Sequence, residues 1–258
     1  MVDDLRSVLT VAALELRVQR RDLSPIVVLT LMPVLLTAFL TPTYERLLDG
    51  GAAPGVTGPG QAISGLAVMF SLMLVAHVGF VFYRDHGWNT WDRYLGADLP
   101  LWALVLGKLL VPFALLAAQA AALLAAGVAL FGLRVEGSWL AVSLVLVCYL
   151  LCLVALAFLG VTLCRTIMQL TTVGNVLALV FSGVGGALVP LSVLPVWLQP
   201  LAPAVPSYWA VRGLQSAFTG GDLGSVAVPA LALLGFTAGF VVAAVLVFRP
   251  NERKVSWS

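Results

Sequence analysis

The chain has 258 residues, of which 61% are hydrophobic and 10% charged, with a formal net charge of +2 and a mean hydropathy of +1.04. Soluble domains carry roughly 25% charged residues and under half apolar ones, so this composition excludes a soluble globular protein. It describes an integral membrane protein, whose unit of construction is a span of about 20 apolar residues across a hydrocarbon layer ~30 Å thick; no nucleic-acid partner is expected. Cys148, Cys152 and Cys164 lie in apolar surroundings without His or carboxylate neighbours, so they read as small packing residues and no metal site is expected.

The opening residues lack the basic-then-apolar order of a cleaved signal, so the N-terminus is expected to be retained. Over residues 1–23, Leu5, Val8, Leu9, Ala12, Ala13, Leu16 and Leu23 recur at steps of three and four. Arg6, Glu15, Arg17, Gln19, Arg20 and Arg21 take the other face. That pattern predicts an amphipathic helix lying at the cytoplasmic membrane interface. Ser24-Pro25 is a helix-start signal for a first span over 26–40. Residues 41–60, rich in Gly, Pro and Thr, predict a loop. Further spans are expected over 62–82, 101–131 (kinked at Pro112), 139–163, 167–189 and 226–248, with a proline-studded segment over 190–224.

The longest polar interruption with net basic charge follows the second span. It brings Arg84, Asp85, His86, Gly87, Trp88, Asn89, Thr90, Trp91, Asp92 and Arg93 together, with Asp98 and Lys108 further on. Such an island is either an aromatic belt with snorkelling charges or a docking site in which buried aromatics with a polar rim supply the contact. With both termini in the cytoplasm, eleven of the 14 Lys and Arg residues fall inside; Arg46, Arg134 and Arg212 fall outside. The positive-inside bias therefore predicts six spans, both ends and the 84–100 segment cytoplasmic, and 190–224 extracellular.

This layout resembles the permease subunit of type-2 ABC exporters, the class that includes daunorubicin-resistance-like and polysaccharide-export-like permeases. The resemblance is carried by the amphipathic helix with six spans and by Arg84-Asp85-His86-Gly87, Thr90, Leu95, Pro100 and Gly107-Lys108 after span two. Most specific is the run from Gly185 to Pro200 followed by Pro206-Ser207-Tyr208-Trp209-Ala210. Asp85-His86 stands where the family often has Glu, and Trp88-Asn89 separates Gly87 from Thr90. The resemblance implies a single all-α transmembrane permease domain over 1–258 that works beside a second permease subunit, identical or paralogous. It implies two copies of a separate ATP-binding subunit, which would bind ATP and Mg. No phosphate-binding G-x-x-x-x-G-K-[ST] loop occurs in this chain, and no cofactor of its own is expected. The 84–100 segment is then the coupling helix that docks on the ATPase, braced by Arg17, Arg20 and Arg21 of the interface helix.

In span five, Asn175, Ala178, Ser182, Gly185 and Gly186 form a small and polar stripe that reads as a packing seam between spans or subunits, or as the wall of a translocation path. The extracellular hairpin, with Pro190, Pro195, Trp197, Pro206, Tyr208 and Trp209, is expected to hold two short helices capped by Ser192 and Ser207 and to close the exit. His77 and Gln119 are polar residues at membrane depth, His77 being expected as a hydrogen-bonded structural group. No carboxylate falls inside a span, which disfavours a proton-coupled carrier. Two rivals are an intramembrane serine protease using Ser182-Gly183 with a histidine base, and a structural membrane subunit. The substrate expected of an exporter is amphipathic: a drug, a lipid or a lipid-linked molecule.

Overall fold

A computed structural model of the chain describes residues 2–21, 24–48, 55–88, 90–96, 100–248 and 254, apart from the side chains of 2–4, 24–26, 29, 92 and 95. Every regular element among them is helical: α1 (Val2–Gln19), α2 (Ser24–Leu48), α3 (Gly58–Met73), α4 (Val75–Gly87), α5 (Trp91–Leu95), α6 (Leu101–Leu130), α7 (Trp139–Leu163), α8 (Ile167–Val184), α9 (Pro206–Phe218) and α10 (Ala227–Val247). Among the described residues five helical runs are long and apolar enough to cross a membrane. They are the joined α3–α4 run Gly58–Gly87, then α6, α7, α8 and α10. The chain is a multi-pass membrane protein.

The ends of these helices follow local sequence. Thr57 accepts from the Gly60 amide at 3.1 Å to start α3, and Ser138 accepts from the Leu140 amide at 3.2 Å to start α7. Thr166 accepts from the Gln169 amide at 3.1 Å while the Gln169 side chain accepts from the Arg165 amide at 3.0 Å, so the first turn of α8 is capped from both sides. α7 is apolar all round and sits in the middle, packed by α3, α4, α6, α9 and α10. Its Tyr149 is wholly buried and donates to the Val68 carbonyl at 2.8 Å. All three cysteines are buried and free.

Four expectations are corrected. Residues 41–48 are helix and not loop, because α2 continues through Pro42 to Leu48. Thr37 and Thr41 donate to the carbonyls four residues back, at 2.7 Å each, and so occupy acceptors near the two prolines. Tyr44 anchors the extension with a 2.6 Å bond to the Leu188 carbonyl. Span five stops at Val184 and not at 189, with Gly185 as C-cap and Gly186 at φ +79, a left-handed turn that an L side chain resists. The 190–224 segment carries two 3-10 turns (Leu191–Val193 and Gln199–Ala204) and one α-helix, α9, where two capped helices were expected. Ser207 does not cap α9; its hydroxyl donates to the Phe181 carbonyl at 2.5 Å. Finally, α1 turns Val11, Ala12 and Glu15 toward the body and leaves Leu5, Leu9 and Leu16 exposed.

Contacts sort the helix ends into two levels. At the base lie α1, the α4–α5 corner, the start of α6 and the end of α7. Tyr83 donates to the Cys164 carbonyl at 2.8 Å, and Lys254 donates to the same carbonyl at 3.1 Å. At the opposite end lie the start of α3, the α6–α7 turn and α9, where the Glu136 amide donates to the Phe218 carbonyl at 3.0 Å. α1 lies close against α6 at Gly107, where an added Cβ would come within 2.7 Å of Val11 Cβ and 2.9 Å of the Val8 carbonyl. Gly107→Val is therefore expected to lift α1 off the bundle, cost about 1–3 kcal/mol and open the α1–α6 seam to protease. Unchanged thermal unfolding and proteolysis would contradict that packing.

Candidate functional site

α3 and α4 together run 30 residues, about 45 Å at 1.5 Å per residue. The last turn of α4 therefore projects beyond a ~30 Å hydrocarbon layer. That turn carries Arg84, Asp85 and His86. Trp88 caps it through its amide to the Arg84 carbonyl at 2.9 Å, and the Thr90 amide returns to the Asp85 carbonyl at 2.9 Å. The Thr90 hydroxyl reaches the Asp85 carboxylate at 3.4 Å, and the chain then turns into α5.

Beneath this corner lies a buried four-charge cluster. Lys108 of α6 is 0% exposed, Asp85 3% and Glu15 of α1 5%. One Glu15 carboxylate oxygen accepts from Lys108 Nζ at 2.6 Å and the other from the Arg84 guanidinium. Lys108 also pairs with Asp85. The Lys108 ammonium stands 4.7 Å from the Tyr94 ring centroid of α5, and the Arg84 guanidinium lies 5.3 Å over the Trp88 ring. Two anions meet two cations, so the cluster is neutral; both Glu15 oxygens have a cationic partner, and Asp85 has Lys108 at one oxygen and the Thr90 hydroxyl at the other. Such an arrangement contributes little net stability over apolar packing, but it fixes geometry, because withdrawing any one member strands a buried charge.

The predicted coupling residues divide accordingly. Asp85 and Trp91 face inward, Trp91 stacking on His86 at 4.9 Å and meeting Phe82 edge-on at 6.2 Å. His86 and Thr90 are half-buried, with His86 Nδ1 2.8 Å from the Phe82 carbonyl. Gly87, Trp88 and Arg93 face out, Trp88 being 60% exposed. Asn89 and the Asp92 side chain lie outside the described residues. Arg17, Arg20 and Arg21 are exposed, and the α1 side chain that reaches the cluster is Glu15.

In the sequence Glu15 falls with the charged residues of the α1 outer face, and Arg84 and Lys108 read as members of the polar island with no partner on α1. The available signal was the 8, 11, 12, 15 spacing, which puts Glu15 on the same helical face as Val8, Val11 and Ala12.

At the other end, the span-five stripe also divides. Ala178, Ser182, Gly185 and Gly186 are buried within the chain, while Asn175 is exposed. A Cβ at Gly185 would overlap the Ser207 hydroxyl, and the Gly186 carbonyl accepts from Gln61 at 3.0 Å. Pro190 and Pro206 are buried. Pro195 and Trp197 are exposed, and Tyr208 and Trp209 are half-buried, with the Trp209 indole bonded to the Pro203 carbonyl at 2.9 Å.

Among the described residues neither histidine is placed to serve Ser182 as a base. Ala76 faces Gly174, so His77 lies at that level, and Ser182 is eight residues further along α8, about 12 Å of rise. His77 contacts Gln19 at 3.5 Å instead, and His86, the other histidine, belongs to the basal corner. Among the described residues no histidine base is within reach of the Ser182 hydroxyl. Among the described residues no three His, Cys, Asp or Glu side chains gather as a metal site.

The family model of the ABC-2 type transporter matches residues 6–219, from within α1 to the end of α9. The chain belongs to the ABC-2 type transporter family. The five apolar runs and the helical fold are those of an ABC-2 membrane component, a permease-type transport domain, and permeases of this family generally work with an ATP-binding subunit. No curated protein matches the chain closely enough to report.

Proposed function

We propose that this ABC-2 permease is the membrane-spanning subunit of an ATP-driven exporter that moves an amphipathic, drug-like, lipid or lipid-linked substrate outward. α2 is the remaining span, giving six across a single domain of residues 1–258, with both termini cytoplasmic. α1 lies along the inner membrane surface, its exposed Leu5, Leu9 and Leu16 toward lipid, and Arg17, Arg20 and Arg21 in the headgroup zone. A second permease, identical or paralogous, and two ATPase subunits carrying ATP and Mg complete the transporter. The exposed side of span five around Asn175 serves the subunit seam or the path.

One observation carries this reading: exposed Trp88 and Arg93 are mounted on a corner whose inner side is locked to α1 and α6 through Glu15, Arg84, Asp85 and Lys108. A partner gripping that corner moves three helices together, which is what coupling a separate motor to the spans requires. The Trp88 ring supplies the apolar anchor and Arg93 the charged rim.

Trp88→Ala combined with Arg93→Glu is expected to lower stimulation of the partner ATPase by permease at least about tenfold, the cost of one interface anchor, with insertion and unfolding temperature unchanged. A cysteine placed at Gly87 is expected to be labelled only from the cytoplasmic side. Labelling from outside intact cells, or undiminished stimulation by the double variant, would sink the assignment.

A further inference from the structure

At the end of the bundle opposite the charge cluster, a cavity of about 360 Å³ opens between α9 and the turn that ends α8. Its size falls in the range of small-ligand sites. The walls are fixed by their own hydrogen bonds. Gln61 donates to the Gly186 carbonyl at 3.0 Å and accepts from Gln215 at 2.6 Å, and Gln199 donates to the Leu194 carbonyl at 2.9 Å.

Of the side chains facing this cavity, Arg212 is the charged one. Among the described residues no carboxylate pairs with it. One guanidinium N–H donates to the Tyr208 hydroxyl at 2.9 Å, the two residues standing one turn apart on α9. That bond aims the guanidinium and leaves its remaining N–H groups, and the phenolic hydrogen of Tyr208, to a further acceptor. Ser192 adds a hydroxyl across the opening. The neighbouring cavity differs, since there Arg134 is accompanied by Glu45 and Glu136.

Between and beside Ser192 and Gln199 of the cavity wall, the chain carries an exposed apolar stretch. Val196 is 82% and Trp197 72% exposed, and Val193 and Leu201 are exposed beside them. A stretch of this kind, with a tryptophan and no charge, belongs at the boundary between lipid tails and headgroups. Positive charge unmatched by carboxylate, hydroxyl donors lining the same cavity and an exposed apolar stretch next in sequence together describe a receptor for a headgroup and not for a tail.

We propose that this cavity binds an oxyanion of the phosphate type at headgroup level, with Arg212 as the counter-charge and Tyr208 and Ser192 as neutral donors. The site is independent of which motor drives the chain. The same chemistry is offered by an anionic phospholipid and by free phosphate, and the experiment separates the two.

Purified full-length protein is incorporated into vesicles of equal phosphatidylglycerol and phosphatidylcholine, extracted, and its retained lipids counted by native mass spectrometry. Inorganic phosphate is titrated calorimetrically into the protein held in phosphatidylcholine alone. Wild-type protein is expected to retain phosphatidylglycerol preferentially, with Arg212→Gln reducing that preference about tenfold, the scale of one charge-assisted contact. Tyr208→Phe should reduce it severalfold, and Arg212→Lys should restore part of it.

Arg212 is exposed, so these variants are expected to unfold at the wild-type temperature. Binding of inorganic phosphate with the same Arg212 dependence would support the site and assign it to a free anion. A lipid preference equal in wild type and Arg212→Gln, or no anion preference in either format, would overturn the proposal.

Discussion

Lys108→Met is expected to lower the unfolding free energy of the purified chain by about 3–5 kcal/mol, the usual cost of stranding a buried partner. Lys108 is wholly buried and serves both Glu15 and Asp85. Without it two carboxylates face Arg84 alone, in a pocket roofed by the Tyr94 ring and closed to water. The double variant Lys108→Met/Asp85→Asn removes both halves of one pair and leaves the Glu15–Arg84 pair standing. It is therefore expected to recover much of the loss, a non-additivity that a double-mutant cycle measures directly. Thermal unfolding in detergent reads both quantities. A single variant as stable as wild type would mean that the cluster is solvated, and simple additivity would mean that its members do not sense one another.

The second large effect is expected at Gly65. A Cβ there would overlap the backbone carbonyl of Ala187. That carbonyl cannot swing aside, because the Ala187 amide is tied to the Ser182 carbonyl at 2.9 Å, the carbonyls on either side, of Gly186 and Leu188, are tied by Gln61 and Tyr44, and Ser207 holds Phe181. Gly65→Ala must part α3 from the end of α8, at about 3 kcal/mol or more, the upper end for overpacking. Gly239→Ala on α10 provides the comparison, since a Cβ there meets open space. It is expected to leave stability unchanged or slightly raised, as alanine is the better helix former. Equal unfolding temperatures for the two variants would contradict the close approach of α3 and α8.

Much of this fold is written in one dimension. Apolar runs bounded by Gly, Pro and charged residues mark the spans, because the hydrocarbon layer imposes length and polarity on each helix separately. The caps at Thr57, Ser138 and Thr166 are equally local. What depends on the neighbours of a residue is not legible in this way. Pro42 looks like the start of a loop, yet the helix passes through it, with the neighbouring Thr41 hydroxyl bonded back to the Thr37 carbonyl and Tyr44 anchored on the Leu188 carbonyl.

The candidate site shows the same division. That residues 84–93 matter is readable from the charge and tryptophan content of an otherwise apolar chain. Which tryptophan points out is not, because Trp88 and Trp91 differ by one turn of chain and are sorted by the packing of Phe82 and His86. Asp85 reads as surface charge, yet it is held by a lysine 23 positions later, so reversing its charge would test folding before it tested docking. Asn175 reads as part of the Ala178–Ser182 stripe and shares its face by helical angle, yet it is exposed where Ala178 and Ser182 are buried, because how far along α8 the neighbouring helices cover that face depends on packing.

The α3–α4 run is continuous but not uniform, since the Leu74 amide still donates to the Phe70 carbonyl at 3.2 Å and the Leu74 carbonyl still accepts from the Val78 amide at 2.9 Å. At Leu74 the backbone departs from regular α geometry (ψ −11), just beyond the point where the Tyr149 hydroxyl donates to the Val68 carbonyl. Above it α3 is bolted to the end of α8, and below it α4 is bolted to α1 and α6. The two halves are thus fastened to different neighbours, and Leu74 is the residue at which the helix between them departs from regular geometry.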